Sequence, residues 1–178
     1  MRADPLYWQN KTVTILGLGR SGLACARKLA SLGCKLILSD SRPTEALLPL
    51  VADLPAGSYR VDGGGHSSAC LDADVLVLSP GVPIDLPMVQ AAMADGVPVF
   101  GEVELAWQLR TTVPYVAITG TNGKTTTTTL VGQIMAAGGL QALVGGNIGE
   151  PLVNLVHQEA DVIVAEISSF QLETIHDF

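Results

Sequence analysis

Charge is scarce in this chain. Asp, Glu, Lys and Arg make up 15% of its 178 residues, against 48% hydrophobic residues. That balance excludes a disordered chain and supports a buried core, in one large or two small domains. Basic residues are scarcer still, 10 against 17 acidic, for a formal net charge of −7. Nucleic acid and anionic membrane surfaces are therefore not expected partners, because both are bound through basic surface. Cysteine is limited to Cys25, Cys34 and Cys70, an odd number with no C-x-x-C spacing. This excludes a disulfide framework and a thiolate zinc site, and reduced thiols are expected. No apolar run approaches transmembrane length, and the opening "MRADPLYWQN" carries no apolar signal region. The expected location is cytoplasmic. One local absence stands out. From Thr111 to Gly149 the only charged side chain is Lys124, so that stretch is either buried or faces a ligand.

What is present is an alternation of strand-like and helix-like stretches. "TVTIL" (12–16), "KLILSD" (35–40), "SYRVDG" (58–63), "ADVLVLSPG" (73–81) and "VPVFG" (97–101) read as strands. "SGLACARKLASLG" (21–33), "IDLPMVQAAMADG" (84–96) and "EVELAWQLR" (102–110) read as helices, the first two ending on glycine. The repeat predicts an α/β fold with a mainly parallel sheet, helices on both faces and right-handed crossovers. A second series follows: strands at "VPYVAIT" (113–119), "LQALVG" (140–145) and "ADVIVAEI" (160–167), with a helix at "PLVNLVHQ" (151–158). The boundary is placed near Arg110–Val113, giving domains 1–112 and 113–178. Only three strands of the second sheet are written, where a sheet usually has roughly five or six. A longer protein is therefore expected.

Two glycine-rich loops carry the chemistry. "GLGRSG" (17–22) is a G-x-G-x-x-G between a strand and a helix. Its glycines permit a tight turn and close backbone approach, and the helix N-terminus offers free N–H groups to a diphosphate. Asp40 ends the second strand, where a ribose-binding carboxylate would sit. A dinucleotide such as NAD and any other diphosphate fit this motif equally well. The second loop, "TGTNGKT" (119–125), resembles a P-loop, with Ile118 where the first glycine should stand. Backbone N–H groups of such a loop wrap phosphates, its lysine reaches the β/γ oxygens, and its Ser/Thr binds Mg²⁺. Gly120, Thr121, Asn122, Gly123, Lys124, Thr125 and Thr126 are thus the candidate nucleotide contacts. Five consecutive threonines, 125–129, begin the following helix, an unfavourable choice for β-branched residues. Thr127, Thr128 and Thr129 are expected to bond back to the preceding turn or to meet polar neighbours.

"TGTNGKTT" (119–126) resembles the ATP loop of the Mur ligases. "GLGRSG", "SPGVP" (79–83), "GEVEL" (101–105), "GGNIG" (145–149) and "AEISSFQLE" (165–173) are similar to stretches of the D-glutamate-adding branch, in the same order. The resemblance covers essentially the whole chain. It implies a Rossmann-like domain for a UDP substrate, followed by part of a P-loop α/β ATPase domain. It assigns the first loop to a UDP diphosphate rather than NAD, with Gly19, Arg20 and Ser21 at the phosphates. Asp40, Ser41 and Arg42 would lie near the uridine, Ser79 and Gly81 would line the same substrate, and Asn147 would contact its sugar-peptide end. Ser168 would either line the site or cap the next turn.

The implied reaction is ATP-dependent amide formation through an acyl phosphate. The substrates would be UDP-N-acetylmuramoyl-L-alanine, ATP and D-glutamate, with Mg²⁺ as cofactor. Lys124 and Glu166 would be catalytic, and Thr125 and Glu166 would hold the metal. The family's second metal site and C-terminal domain have no counterpart within these residues, so this chain is expected to bind without turnover. An unpaired strand edge and a bare apolar face around Val162–Val164 are expected, leaving the second domain either partly disordered or paired with another copy of itself, and Arg110–Val113 is expected to act as a hinge. His176 is read as an exposed helix residue, and His66 and His157 are assigned no role. An NAD-dependent oxidoreductase and a non-catalytic nucleotide-binding module remain the alternatives.

Overall fold

The computed structural model describes residues 5–110 and 112–178. A one-turn helix α1 (Pro5–Trp8) leads into β1 (Thr12–Leu16), α2 (Arg20–Ser31), β2 (Lys35–Asp40), α3 (Thr44–Leu47) and β3 (Tyr59–Gly63). Then come β4 (Val75–Leu78), α4 (Pro87–Ala94), β5 (Val99–Gly101) and α5 (Glu102–Leu109). These five strands form one parallel sheet in the order β3-β2-β1-β4-β5. Chain order reverses at β1, and the "GLGRSG" loop leaves that strand. Such a switch point opens a crevice at the carboxyl ends of the strands.

Local sequence explains these elements. All four residues of β4 are buried, as are four of the five in β1, so the runs are apolar on both faces. Small side chains at Gly22, Ala24, Cys25, Ala26 and Ala30 form the buried face of α2 and let it lie close to the sheet, while Arg27 faces solvent. Its last turn closes at Gly33, whose φ of +80° is a left-handed conformation that favours glycine.

The second sheet is built from β6 (Tyr115–Ile118), α6 (Lys124–Ala137), β7 (Ala142–Gly146), α7 (Leu152–Leu155), β8 (Val162–Glu166) and α8 (Ser169–Leu172). Its strands are parallel in the order β6-β8-β7. Two helical readings are shortened. "PLVNLVHQ" supplies only one turn of α-helix before it breaks into turns, and His176 lies beyond α8 in a bend rather than on a helix.

The expected bare face around Val162–Val164 does not exist. β8 is the central strand of its sheet, and Val162, Ile163 and Val164 are 5%, 1% and 0% exposed. The self-association drawn from that face loses its basis. Exposed apolar side chains lie instead on and just beyond α6, at Leu130, Ile134 and Leu140. The hinge expectation also fails. Thr111 lies outside the described residues, but packing crosses the boundary on both sides of it. Leu152, Val153, Leu155 and Ile163 share one hydrophobic cluster with Leu29, Val103 and Leu105 of the first sheet's layer. Each such buried side chain contributes roughly 1.5–3 kcal/mol, enough to hold the two sheets together.

Glu104 of α5 adds to this. Its buried carboxylate accepts from the backbone N–H groups of His176 (2.8 Å), Asp177 (3.1 Å) and Phe178 (3.3 Å), and from Gln108 Nε2. The threonine run resolves differently from expectation. Thr127 and Thr129 are exposed, whereas the Thr128 hydroxyl is buried without a hydrogen-bond partner among the described residues. Among the described residues no helix is long and apolar enough to cross a membrane.

Candidate functional site

The first loop is shaped by its glycines and by Asp40. Gly17 has φ +84°, and a Cβ on Gly22 would sit 2.0 Å from Gly17 O and 2.5 Å from Ser79 Oγ. Only glycine allows α2 to start this close to the strand ends. A Cβ on Gly19 would meet nothing within 4 Å, so that position borders open space. Ser79 is tied to the same turn, its hydroxyl donating to Gly17 O at 2.6 Å. Asp40 Oδ2 accepts from Leu18 N (2.7 Å) and Arg42 Nη2 (2.9 Å), while Oδ1 accepts from Arg42 Nε (2.9 Å) and Arg42 N (3.0 Å). Arg42 Nη2 also donates to Leu18 O at 2.9 Å. The Arg42 guanidinium therefore holds the Asp40 carboxyl far below the usual carboxylate range, against the opposing effect of burial. Asp40 braces the loop, and its oxygens already accept four hydrogen bonds.

Above this loop lies a cavity of about 620 Å³. Gly19, Arg20, Ser21, Asp40, Ser41, Ser79, Gly81 and Asn147 all line it. Asn147 comes from the turn after β7, and Arg20 Nη2 donates to its carbonyl at 3.4 Å. The cavity thus spans both sheets. Two candidates stand outside its lining. Arg42 is clamped on Asp40. Ser168 starts α8 with a capping box, its hydroxyl accepting from Gln171 N at 3.3 Å while the Gln171 side chain accepts from Ser168 N at 2.9 Å.

The second loop is tied to the wall of this cavity through Glu166 and Asn147. Gly123 adopts φ +75° and caps α6, leaving Gly120, Thr121, Asn122, Thr125 and Thr126 exposed. Lys124 folds back, its Nζ donating to Gly120 O at 2.8 Å. Glu166, at the end of β8, is 1% exposed and doubly held. Its Oε2 accepts from Thr125 Oγ1 at 2.8 Å and its Oε1 from Asn147 Nδ2 at 2.7 Å. The loop, the β8 carboxylate and the cavity wall are thereby joined in one hydrogen-bonded chain. No group of three His, Cys, Asp or Glu that could hold a metal occurs among the described residues. Thr125 and Glu166 nevertheless offer adjacent hard oxygens, which suits an ion that takes one or two protein ligands and completes its shell with phosphate and water.

Sequence reasoning missed three residues. His66 lines the cavity and bonds Ser39 at 2.7 Å, and Gln171 lines it from α8. Glu102, 1% exposed, accepts from Val153 N at 2.8 Å, and its other oxygen has no partner among the described residues. Burial pushes its carboxyl up to about 7. Their partners lie far along the chain, 27 residues away for His66 and 51 for Glu102. The one available signal was position, since "GGGHSS" directly follows β3 at the same sheet end as the first loop.

Residues 11–101 match the Mur ligase MurD-like N-terminal domain, and residues 118–178 match the Mur ligase middle domain. The chain belongs to the Mur ligase family. Among similar proteins, the UDP-N-acetylmuramoylalanine–D-glutamate ligase of Syntrophotalea carbinolica is 48% identical over 173 residues, covering 96% of this chain and 38% of its own length. That of Pelotomaculum thermopropionicum is 47% identical over 171 residues, covering 94% and 37%. The chain thus spans under two-fifths of these Mur ligases. A solved pseudomurein peptide ligase type C from Methanothermus fervidus matches with a TM-score of 0.51 and 28% identity, over 90% of this chain and 33% of that one. Membership in the Mur ligases removes the reading of "GLGRSG" as the mark of an NAD-dependent oxidoreductase.

Proposed function

We propose that this chain forms the nucleotide-binding part of an ATP-dependent ligase joining D-glutamate to UDP-N-acetylmuramoyl-L-alanine in the cytoplasm. Residues 1–112 would be the UDP-substrate domain and 113–178 part of the ATP-binding domain. The supporting observation is the chain from Arg20 through Asn147 and Glu166 to Thr125, which joins the cavity over the first loop to the phosphate loop. Activating a carboxylate with ATP brings two anions together, so cationic groups must offset their repulsion. Arg20 stands at the start of α2, where the diphosphate of a UDP substrate would lie with Gly19 and Ser21. The substrate would run past Ser79, Gly81 and Asn147 toward the second sheet, with Ser41 near the uridine.

Backbone N–H groups of 120–126 would surround the ATP phosphates. Lys124, now on Gly120 O, would exchange that carbonyl for the γ-phosphate. Thr125 and Glu166 would hold Mg²⁺, which when bound neutralises phosphate charge. The Asn147 hydrogen bond fixes the Glu166 carboxylate for that role. The test is calorimetric titration of the chain with UDP-N-acetylmuramoyl-L-alanine, ATP–Mg²⁺ and NAD. The first two are expected to bind, each insensitive to excess NAD. Tighter binding of NAD than of the UDP substrate would overturn the assignment.

A further inference from the structure

His66 lines the cavity and is left unused by the proposed substrate contacts. It is backed by a polar cluster of Ser39, Asp62 and Cys70. Ser39 is buried at the end of β2, and Asp62 lies near the end of β3. Asp62 Oδ2 accepts from Ser67 N (2.9 Å), Cys70 Sγ (3.0 Å) and Ser39 Oγ (3.1 Å). Burial pushes the Cys70 thiol up to about 11, which keeps the sulfur protonated as a donor. The same Ser39 oxygen lies 2.7 Å from His66 Nδ1.

These contacts assign the tautomer of a neutral His66 ring. A hydroxyl has one proton to donate. If Ser39 gave it to His66, the Ser39 and Asp62 oxygens would face each other at 3.1 Å with no proton between them. Ser39 therefore donates to Asp62 and accepts from His66, so Nδ1 carries a proton. The Nε2 lone pair is left over. Nε2 has no hydrogen-bond partner among the described residues, and His66 lines the cavity.

The topology says what part of a ligand would meet it. The first loop follows β1, Asp40 ends β2 and His66 follows β3, three adjacent strands in the order β3-β2-β1. A nucleotide whose diphosphate rests on the start of α2 extends across the end of β2, and its base arrives at the end of β3. Uracil presents an N3–H donor between two carbonyl acceptors. Cytosine presents an unprotonated N3. Resting on the reading of this cavity as a UDP site, we infer that His66 is a specificity-determining residue whose Nε2 accepts the uracil N3–H, while Ser39 and Asp62 fix its tautomer.

The test uses the 178-residue chain with UDP, CDP and N3-methyl-UDP, in wild type and in His66→Ala, by calorimetry. One well-placed hydrogen bond, with the Nε2 acceptor left unpaired by the wrong ligand, is worth about tenfold in affinity. Wild type is expected to bind UDP about tenfold more tightly than either analogue, and His66→Ala to bind all three within about twofold. A wild-type preference retained in His66→Ala overturns the assignment. Should that variant fail to fold by circular dichroism, wild type alone decides, since equal affinity for UDP and N3-methyl-UDP overturns it. UDP binding without base preference removes the role of His66 and leaves the UDP site standing. No binding of UDP by wild type removes both.

Discussion

Glu102 Oε1 accepts a hydrogen bond from Val153 N at 2.8 Å, joining α5 of the first sheet's layer to the start of α7 in the second. The N-cap of α7 is Pro151, whose side chain has no acceptor, so α7 has no local side-chain cap. Glu102 supplies one from across the boundary, while its other, buried oxygen has no partner among the described residues.

This arrangement sets a pH dependence. Burial raises the Glu102 carboxyl from 4.5 to about 7, opposed by the Val153 and Leu152 N–H groups and the Arg20 charge. A raised acid pKa means the folded chain binds an extra proton between these values. The contribution to stability is therefore full below about pH 4.5 and is lost as pH rises through about 7. The shift corresponds to on the order of 3 kcal/mol. Thermal melts of wild type are expected to fall across that window. Glu102→Gln, uncharged and still an acceptor for Val153, should flatten the slope and melt higher at pH 8. Identical slopes in both proteins would exclude Glu102 as the cause.

Gly22 and Gly19 should separate folding from binding. Gly22→Ala places a Cβ 2.0 Å from the Gly17 carbonyl, an overlap only backbone movement can relieve. A loss of about 3 kcal/mol or more in urea melts is expected. Gly19→Ala meets open space and should fold normally, but its methyl enters the volume assigned to the diphosphate. A tenfold or greater loss of UDP affinity with unchanged melting is expected. Full UDP affinity in Gly19→Ala would show that the diphosphate does not lie against this loop.

Asp40→Asn should act on the fold before it acts on the ligand. It weakens the bidentate pair with Arg42 and exchanges one acceptor oxygen for a donor beside Leu18 N or Arg42. A cost of about 2 kcal/mol is expected in urea. Arg42→Ala should lower stability less, because Asp40 keeps its bond to Leu18 N at 2.7 Å. Equal stability of Asp40→Asn and wild type would mean the four hydrogen bonds to this carboxylate are not maintained in solution.

Lys124→Ala should lower ATP affinity at least tenfold, because its ammonium is the only charged side chain between Thr111 and Gly149. UDP binding should stay within about twofold, since Lys124 does not line the cavity of the first loop. Fluorescence titration with a labelled ATP analogue reads the first quantity and calorimetry the second. Unchanged ATP affinity would mean that this lysine does not reach the phosphates.

Much of the architecture was legible locally. Apolar runs such as "TVTIL" and "VLVL" announce buried strands, because few residues but a two-sided strand hide so much apolar surface in so short a stretch. Glycines at 17, 33 and 123 mark turns that side chains would strain, and Gly22 marks where α2 must lie against the strand ends. The two glycine-rich loops were readable for the same reason, because a loop's backbone shape is set by six or seven adjacent residues.

Partnership across long separations was not legible. Arg20 meets Asn147 over 127 residues, Glu102 meets Val153 over 51, and His66 meets Ser39 over 27. Nothing in "GEVEL" distinguishes a buried Glu102 from a solvated one until α7 lies across it. The face around Val162–Val164 was misjudged likewise, because what covers an apolar strand is decided by the elements packed on it. Sequence by itself determined which loops could hold phosphate. Only the tertiary structure decided that a hydrogen-bonded chain through Asn147 and Glu166 joins them, because side-chain contacts at that range follow from how the two sheets pack and not from any local pattern.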